Sequence, residues 1–310
     1  MTKELKVEII NALENYLLSN TKVTQNDVAN SAEINAGYLI NMRKKDFTVK
    51  SGQKVVEIND KYFIRLAKFI GFELSTNNWT TKPTIQLKDM VTSLQIAKDN
   101  LDTAVLIGET GSGKTFSLDA FKSKYPTEVF TVKVGSSDNL PDLIGKVLIA
   151  LNVVQPRHST SARIAQIALR LKILRESGKT PLLAFDEAEF MKYAALCAFK
   201  ELFDILIKEC ALVLIGTEEL IKNLERMQRY SKPGIAQLFR RIKFKIHNIP
   251  AIDRRFEQFL NGVEPELKKW LQANCNNYGE LHDVMVPAIA EAERTGQPLT
   301  LELVKIVLGI

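Results

Sequence analysis

The eight residues Gly108-Glu109-Thr110-Gly111-Ser112-Gly113-Lys114-Thr115, GETGSGKT, follow the apolar run Ala104-Val105-Leu106-Ile107. The spacing G-x-x-x-x-G-K-T gives a glycine-rich loop whose backbone N–H groups can wrap phosphate oxygens. Lys114 is expected to reach the β- and γ-phosphates of ATP, and Thr115 to offer its hydroxyl to Mg²⁺. The surroundings support this reading. A strand pattern precedes the loop, and residues 113–124 read as a helix whose positive end points at the phosphates.

A second strand pattern, Pro181-Leu182-Leu183-Ala184-Phe185, ends in Asp186 and Glu187. Asp186 is expected to hold Mg²⁺ and Glu187 to orient or deprotonate the attacking water. The alternative is a helix N-terminus, with Glu187 or Glu189 complementing the macrodipole. A third apolar run, ALVLIG, ends at Thr217. There a hydroxyl can contact the γ-phosphate or the lytic water, or simply cap a helix.

Outward from these motifs, residues 105–107, 129–134, 182–185, 212–215 and 242–246 read as short apolar strands separated by helical patterns. That alternation predicts an α/β fold with a parallel sheet covered on both faces. The first 75 residues read as short helices without a strand signal. STNNWTTKP, rich in turn formers and closed by Pro83, places a linker at 76–83. The core is expected over 84–250. Segments around 254–262, 264–275, 279–294 and 299–309 suggest a small helical lid over 251–310.

No apolar run reaches the roughly 18 residues that cross a bilayer, and the start lacks a signal-peptide pattern, so no membrane role and a cytoplasmic setting are expected. Cys197, Cys210 and Cys275, alongside three histidines, support neither a disulfide framework nor a zinc site. Between Lys222 and Arg255 there are ten basic residues against two acidic ones. Such a run suits a polyanion or acidic partner, or a solvated surface.

Residues Thr24 to Asp46 read as two short helices joined by a tight turn, with Val28, Ala29, Ala32, Ile34, Leu39 and Met42 as their core. Glu33 stands where many such turns carry glycine. In a DNA-binding reading, Asn35, Tyr38 and Asn41 face the groove, while Arg43, Lys44, Lys45 and Lys50 neutralise phosphates; a protein-binding helical domain is the alternative. Arg157, His158, Arg163, Arg170, Lys172 and Arg175 punctuate the segment before the Asp186 strand. Arg163 and Arg170, seven apart, share a helical face. With Lys133, these are candidates for backbone contacts to DNA.

The motifs resemble those of the AAA+ ATPases over roughly residues 84–310, with GETGSGKT as Walker A, LLAFDEAE as Walker B and Thr217 at the sensor 1 position. That resemblance implies an arginine finger donated to a neighbouring subunit. LFRRIKF offers Arg241, with Arg240 as second choice. It also places His282, in Tyr278-Gly279-Glu280-Leu281-His282-Asp283, where a sensor 2 arginine is normally expected. The order of an N-terminal helix-turn-helix, linker, compact core and short lid further resembles the transposition ATPases of the phage Mu B, TnsC, TniB and IstB type. This implies a homo-oligomeric ring or filament on double-stranded DNA that selects target DNA, delivers it to a transposase and disassembles on ATP hydrolysis. A replication helicase loader and a nucleotide-dependent signalling module are the rival readings.

Overall fold

The computed structural model describes residues 3–19, 23–51, 54–70, 72, 79–154 and 159–310. The chain forms two compact units, residues 1–77 and 78–310.

In the first unit, helix α1 (Lys3–Ser19) precedes α2 (Gln25–Ser31) and α3 (Ala36–Arg43), then strands β1 (Thr48–Ser51) and β2 (Lys54–Glu57), and α4 (Asp60–Ile70). Thr24 opens α2 through a reciprocal capping box with Asp27. Glu33 takes the left-handed conformation, φ +53°, in the turn between α2 and α3. Ile9, Leu13, Val28, Leu39, Met42 and Phe63 meet in the core. The hairpin corrects the expectation of a strand-free region. Its strands are four residues each, paired antiparallel with Val49 opposite Val56, and Val55 and Val56 are both exposed. With both left outside, the pair carries no inside-outside alternation for the sequence to display.

The second unit begins with α5 (Ile85–Asn100) and continues β3 (Ala104–Ile107), α6 (Lys114–Lys124), β4 (Val129–Lys133), α7 (Leu140–Ala150), α8 (Thr160–Glu176), β5 (Leu182–Asp186) and α9 (Tyr193–Ile205). Then come β6 (Ala211–Gly216), α10 (Glu218–Arg229), α11 (Ile235–Ile242), β7 (Ile246–Asn248), α12 (Pro265–Asn274), α13 (Tyr278–Thr295) and α14 (Leu301–Leu308). The sheet runs β4-β5-β6-β3-β7, parallel throughout. Alternate residues of one strand feed opposite faces. Leu182 and Ala184 join α5 and α6, whereas Leu183 and Phe185 join α7, α8, α9 and α11. Both faces are covered, so β5 and β6 are buried from end to end.

Two expected elements are corrected. Residues 242–246 alternate Ile242, Phe244 and Ile246 as a strand would, yet Ile242 closes α11, where Ile235, Leu238 and Ile242 form its buried stripe. Phe244 is 87% exposed, and the strand starts only at Ile246. Arg240 and Arg241 therefore sit on a helix. Residues 254–262 form turns rather than a helix. Phe256 is buried at φ +50°, a conformation that a right-handed helix cannot contain.

Of the expected linker, residues 76–78 lie outside the described residues. Trp79 stacks on Phe259 with ring centroids 4.9 Å apart, so from Trp79 onward the segment packs with the second unit. Among the described residues no helix is long and apolar enough to cross a membrane.

Candidate nucleotide-binding site

The parallel sheet brings the three motifs to one edge, because β3, β5 and β6 are adjacent and end in the same direction. Brought together there are the loop after β3, Asp186 and Glu187 at the end of β5, and Thr217 just past β6.

Within the loop, Gly111 and Gly113 adopt φ +73° and +84°, which glycine reaches without a Cβ penalty. Gly111 is required for space as well, since a Cβ there would lie 2.2 Å from the Asn277 side chain. The chain after β7 thus rests on the loop, with the Tyr278 N–H donating to the Gly111 carbonyl at 3.1 Å and Arg254 pairing with Glu109 at 2.9 Å. Gly113 caps α6, aiming the helix N-terminus at the same space.

Lys114 donates to the main-chain carbonyls of Gly108 and Glu109 at 2.9 and 2.7 Å. Burial pushes its ammonium below the ordinary lysine value, against the opposing pull of Glu189, Asp186, Glu187 and Glu109. The Thr115 hydroxyl donates to Asp186 Oδ2 at 2.7 Å, and Asp186 is buried. One hydroxyl and one carboxylate oxygen are the hard ligands suited to a Mg²⁺ that keeps most of its waters. The buried Ser112 hydroxyl has no hydrogen-bond partner, as fits a loop shaped to meet phosphate oxygens. Both groups therefore fit the residues present.

Glu187 is a non-glycine residue at φ +55°, a strained conformation of the sort that gathers at functional sites. Its carboxylate is 3.1 Å from the Lys133 ammonium at the end of β4, and Glu187 raises the Lys133 pKa by hydrogen bond and charge. Thr217 occupies the N-cap of α10 but makes no side-chain cap bond; its hydroxyl donates instead to Glu189 Oε1 at 3.1 Å. Glu189 is the site residue that sequence reasoning passed over, having been weighed only as a helix-dipole partner.

Some of the other expected residues are engaged elsewhere. Arg241 ion-pairs with Asp204 and lies over the Phe203 ring, whereas Arg240 is exposed. His282 packs edge-on against Trp79 and faces Asp283. In the basic run, Lys222, Arg241, Lys245 and Arg254 each pair with an acid from outside it, namely Glu218, Asp204, Asp102 and Glu109. On α8, Arg170 is half-buried, as is Arg163, which already has a partner; Arg157 lies outside the described residues.

In the first unit, Asn35 caps α3 by accepting from the Gly37 N–H, and Asn41 donates to the Thr48 carbonyl at 2.9 Å. Tyr38 packs edge-on against Tyr62, and Arg43 is held by Glu14 and Gln25. Lys44 and Lys45 are exposed.

Residues 101–224 match the AAA domain family. Among solved structures, the chain is similar to Cdc6p from Pyrobaculum aerophilum, with a TM-score of 0.51 and 18% identity, covering 72% of this chain and 66% of that one. It is similar also to the Orc1 protein of Aeropyrum pernix solved in complex with DNA, with a TM-score of 0.51 and 16% identity, covering 72% and 64%. The chain spans a little under two thirds of the length of each. No curated protein matches the chain. Site geometry, sheet order and likeness agree on one architecture: the second unit has the AAA+ fold, with its motif residues gathered at the carboxyl edge of the sheet.

Proposed function

We propose that the chain is an oligomeric AAA+ ATPase that acts on double-stranded DNA and delivers target DNA to a transposase. The observation that carries the ATPase reading is the convergence of Lys114, Thr115, Asp186, Glu187 and Thr217 at one sheet edge. The loop 108–115 holds the triphosphate through its N–H groups and Lys114, and Thr115 and Asp186 hold Mg²⁺. When bound, the ion neutralises charge on the β- and γ-phosphates. A cleft of mixed lining, with Ile85, Pro250, Phe256 and Tyr278 beside Gln86 and Asp253, is tied to the loop through the Tyr278 bond to Gly111, and its aromatic side chains suit a flat base. Glu187 accepts a proton from the attacking water at its carboxylate, and Thr217 helps to place that water.

The coupling to DNA rests on the Lys133–Glu187 pair. While the Lys133 ammonium holds a Glu187 oxygen at 3.1 Å, that oxygen is not available to the attacking water. A DNA phosphate that draws the exposed Lys133 away frees Glu187, so DNA stimulates hydrolysis. Arg163 and Arg170 on α8, Arg157 before it, and Lys44 and Lys45 in the first unit supply further phosphate contacts, largely independent of sequence. A ring or filament follows from the need for a cation from a neighbouring subunit. Likeness of fold to Cdc6p and Orc1, the latter solved with DNA, favours a second reading, a replication initiator or loader.

Electron microscopy of the protein with DNA and either ATP or ADP tests the assembly, with regular filaments or rings expected only with ATP. Whether the gene lies beside one for an integrase-fold transposase, and strand-transfer assays with such an enzyme, separate the two readings. Target choice unaffected by this protein removes the transposition role.

A further inference from the structure

Glu189 lies beyond the Asp186-Glu187 pair, on the short 3-10 turn Ala188–Phe190, and reaches across to the end of the neighbouring strand. Its Oε1 accepts from the Thr217 hydroxyl at 3.1 Å and its Oε2 from the Thr217 N–H at 3.4 Å. Asn223 on α10 donates to the Glu189 carbonyl at 3.3 Å, fixing the turn from the other side. Gly216 completes the fit, since a Cβ there would stand 2.6 Å from Glu189 Oε2. The hydroxyl that would ordinarily cap α10 is thereby committed elsewhere.

We propose that Glu189 is a positioning residue that fixes both the place and the hydrogen-bond polarity of Thr217. An ionised carboxylate only accepts, so the Thr217 proton must point toward Glu189. The lone pairs left on Thr217 Oγ1 then accept from a donor. This assigns Thr217 to the attacking water, accepting a hydrogen bond from the hydrogen that the water keeps while Glu187 accepts the proton that the water gives up, and not to a phosphate oxygen, which also only accepts. Glu189 itself touches neither water nor phosphate. The inference rests on the ATPase reading above.

The test is a double-mutant cycle of Glu189→Ala and Thr217→Ala, with kcat and KM from phosphate release and nucleotide affinity from direct titration. Each single variant is expected to lower kcat by about tenfold to a hundredfold, the cost of a misplaced reacting group, with KM and affinity nearly unchanged. The double variant should fall no further than Thr217→Ala alone. Glu189→Gln keeps one acceptor oxygen and the same size, so it should fall between wild type and Glu189→Ala. Gly216→Ala, which pushes the carboxylate off Thr217, should reproduce Glu189→Ala without touching either side chain. Multiplicative losses in the cycle, a change confined to KM, or Glu189→Gln as slow as Glu189→Ala would each overturn the assignment. An active wild type with multiplicative losses refutes this inference alone; a wild type that binds ATP yet never hydrolyses it refutes the ATPase reading as well. The Gln and Gly216 variants keep the test valid if Glu189→Ala does not fold.

Discussion

Two lysines stand at opposite ends of the same sheet and are treated in opposite ways. At the amino ends of the strands, Lys98 is 3% exposed. Its ammonium meets Glu128 at 2.6 Å, bonds the Thr180 hydroxyl and lies 4.4 Å from the Tyr125 ring centroid. Glu128 in turn accepts from both the N–H and the hydroxyl of Thr180. At the carboxyl ends, Lys114 bonds only main-chain carbonyls, although four carboxylates bear on its charge. A cation that serves the fold is saturated by its partners. One that serves a ligand is held in place with its charge left to be answered, and burial already weakens its hold on its proton.

The sharpest way to break this contrast is Lys114→Ala. Nucleotide binding and phosphate release should fall by roughly 10³-fold, while the melting temperature without nucleotide stays within a few degrees. A melting shift as large as that of a Lys98 variant would erase the distinction. Glu187→Gln should part the two steps, retaining ATP while stalling hydrolysis, with longer-lived DNA complexes in ATP.

Arg240 and Arg241 extend the same criterion. Arg241 is occupied by Asp204 and Phe203, so Arg240 is the one free to reach a neighbouring subunit. Arg240→Ala should lose about 10³-fold in hydrolysis and recover part of it when mixed with Lys114→Ala, because some interfaces then pair an intact site with an intact arginine. Recovery seen only with Arg241→Ala would mean that the Asp204 pair opens on assembly.

At the saturated end, Lys98→Ala leaves the Glu128 charge with only its hydrogen bonds from Thr180. It should destabilise the protein by about 3 kcal/mol, with hydrolysis per folded molecule unchanged in thermal melts followed by assays at 25 °C. Acid supplies a milder probe. Burial raises the Glu128 pKa, but Lys98 and Thr180 more than offset this and hold it below the ordinary 4.5. A depressed carboxyl contributes stability that is present above 4.5 and lost as pH falls through the depressed value. The melting temperature of the wild type should therefore fall more steeply below pH 4.5 than that of Lys98→Ala. The smallest effect expected is from Lys133→Ala, a few-fold rise in hydrolysis without DNA and a weaker response to DNA. An unchanged response would remove Lys133 from the coupling.

The three motifs were legible because each is local. Gly111, Gly113 and Lys114 act through their own backbone and the helix that follows, and the apolar LLAF and ALVLIG runs identify buried parallel strands from composition alone. The RIKFKI segment misled because a strand's alternation and the end of a helical stripe coincide over so few residues, and only packing of Ile235, Leu238 and Ile242 against the core distinguishes them. The hairpin at 48–57 was silent because the successive Val55 and Val56 both stay outside.

By itself, the sequence determined the glycine-rich loop, the acidic strand end and the α/β class, since these depend on the residue types and spacings of single segments. Only the tertiary structure decided which charges remain available. Glu189 and Thr217 lie 28 positions apart and meet because β5 and β6 are neighbours. The basic surplus of residues 222–255 is likewise reduced by Asp102, Glu109 and Asp204 from distant elements. The physical reason is that an ion pair depends on distances of a few ångströms, and the order of strands in a sheet, not the order of residues in the chain, sets those distances.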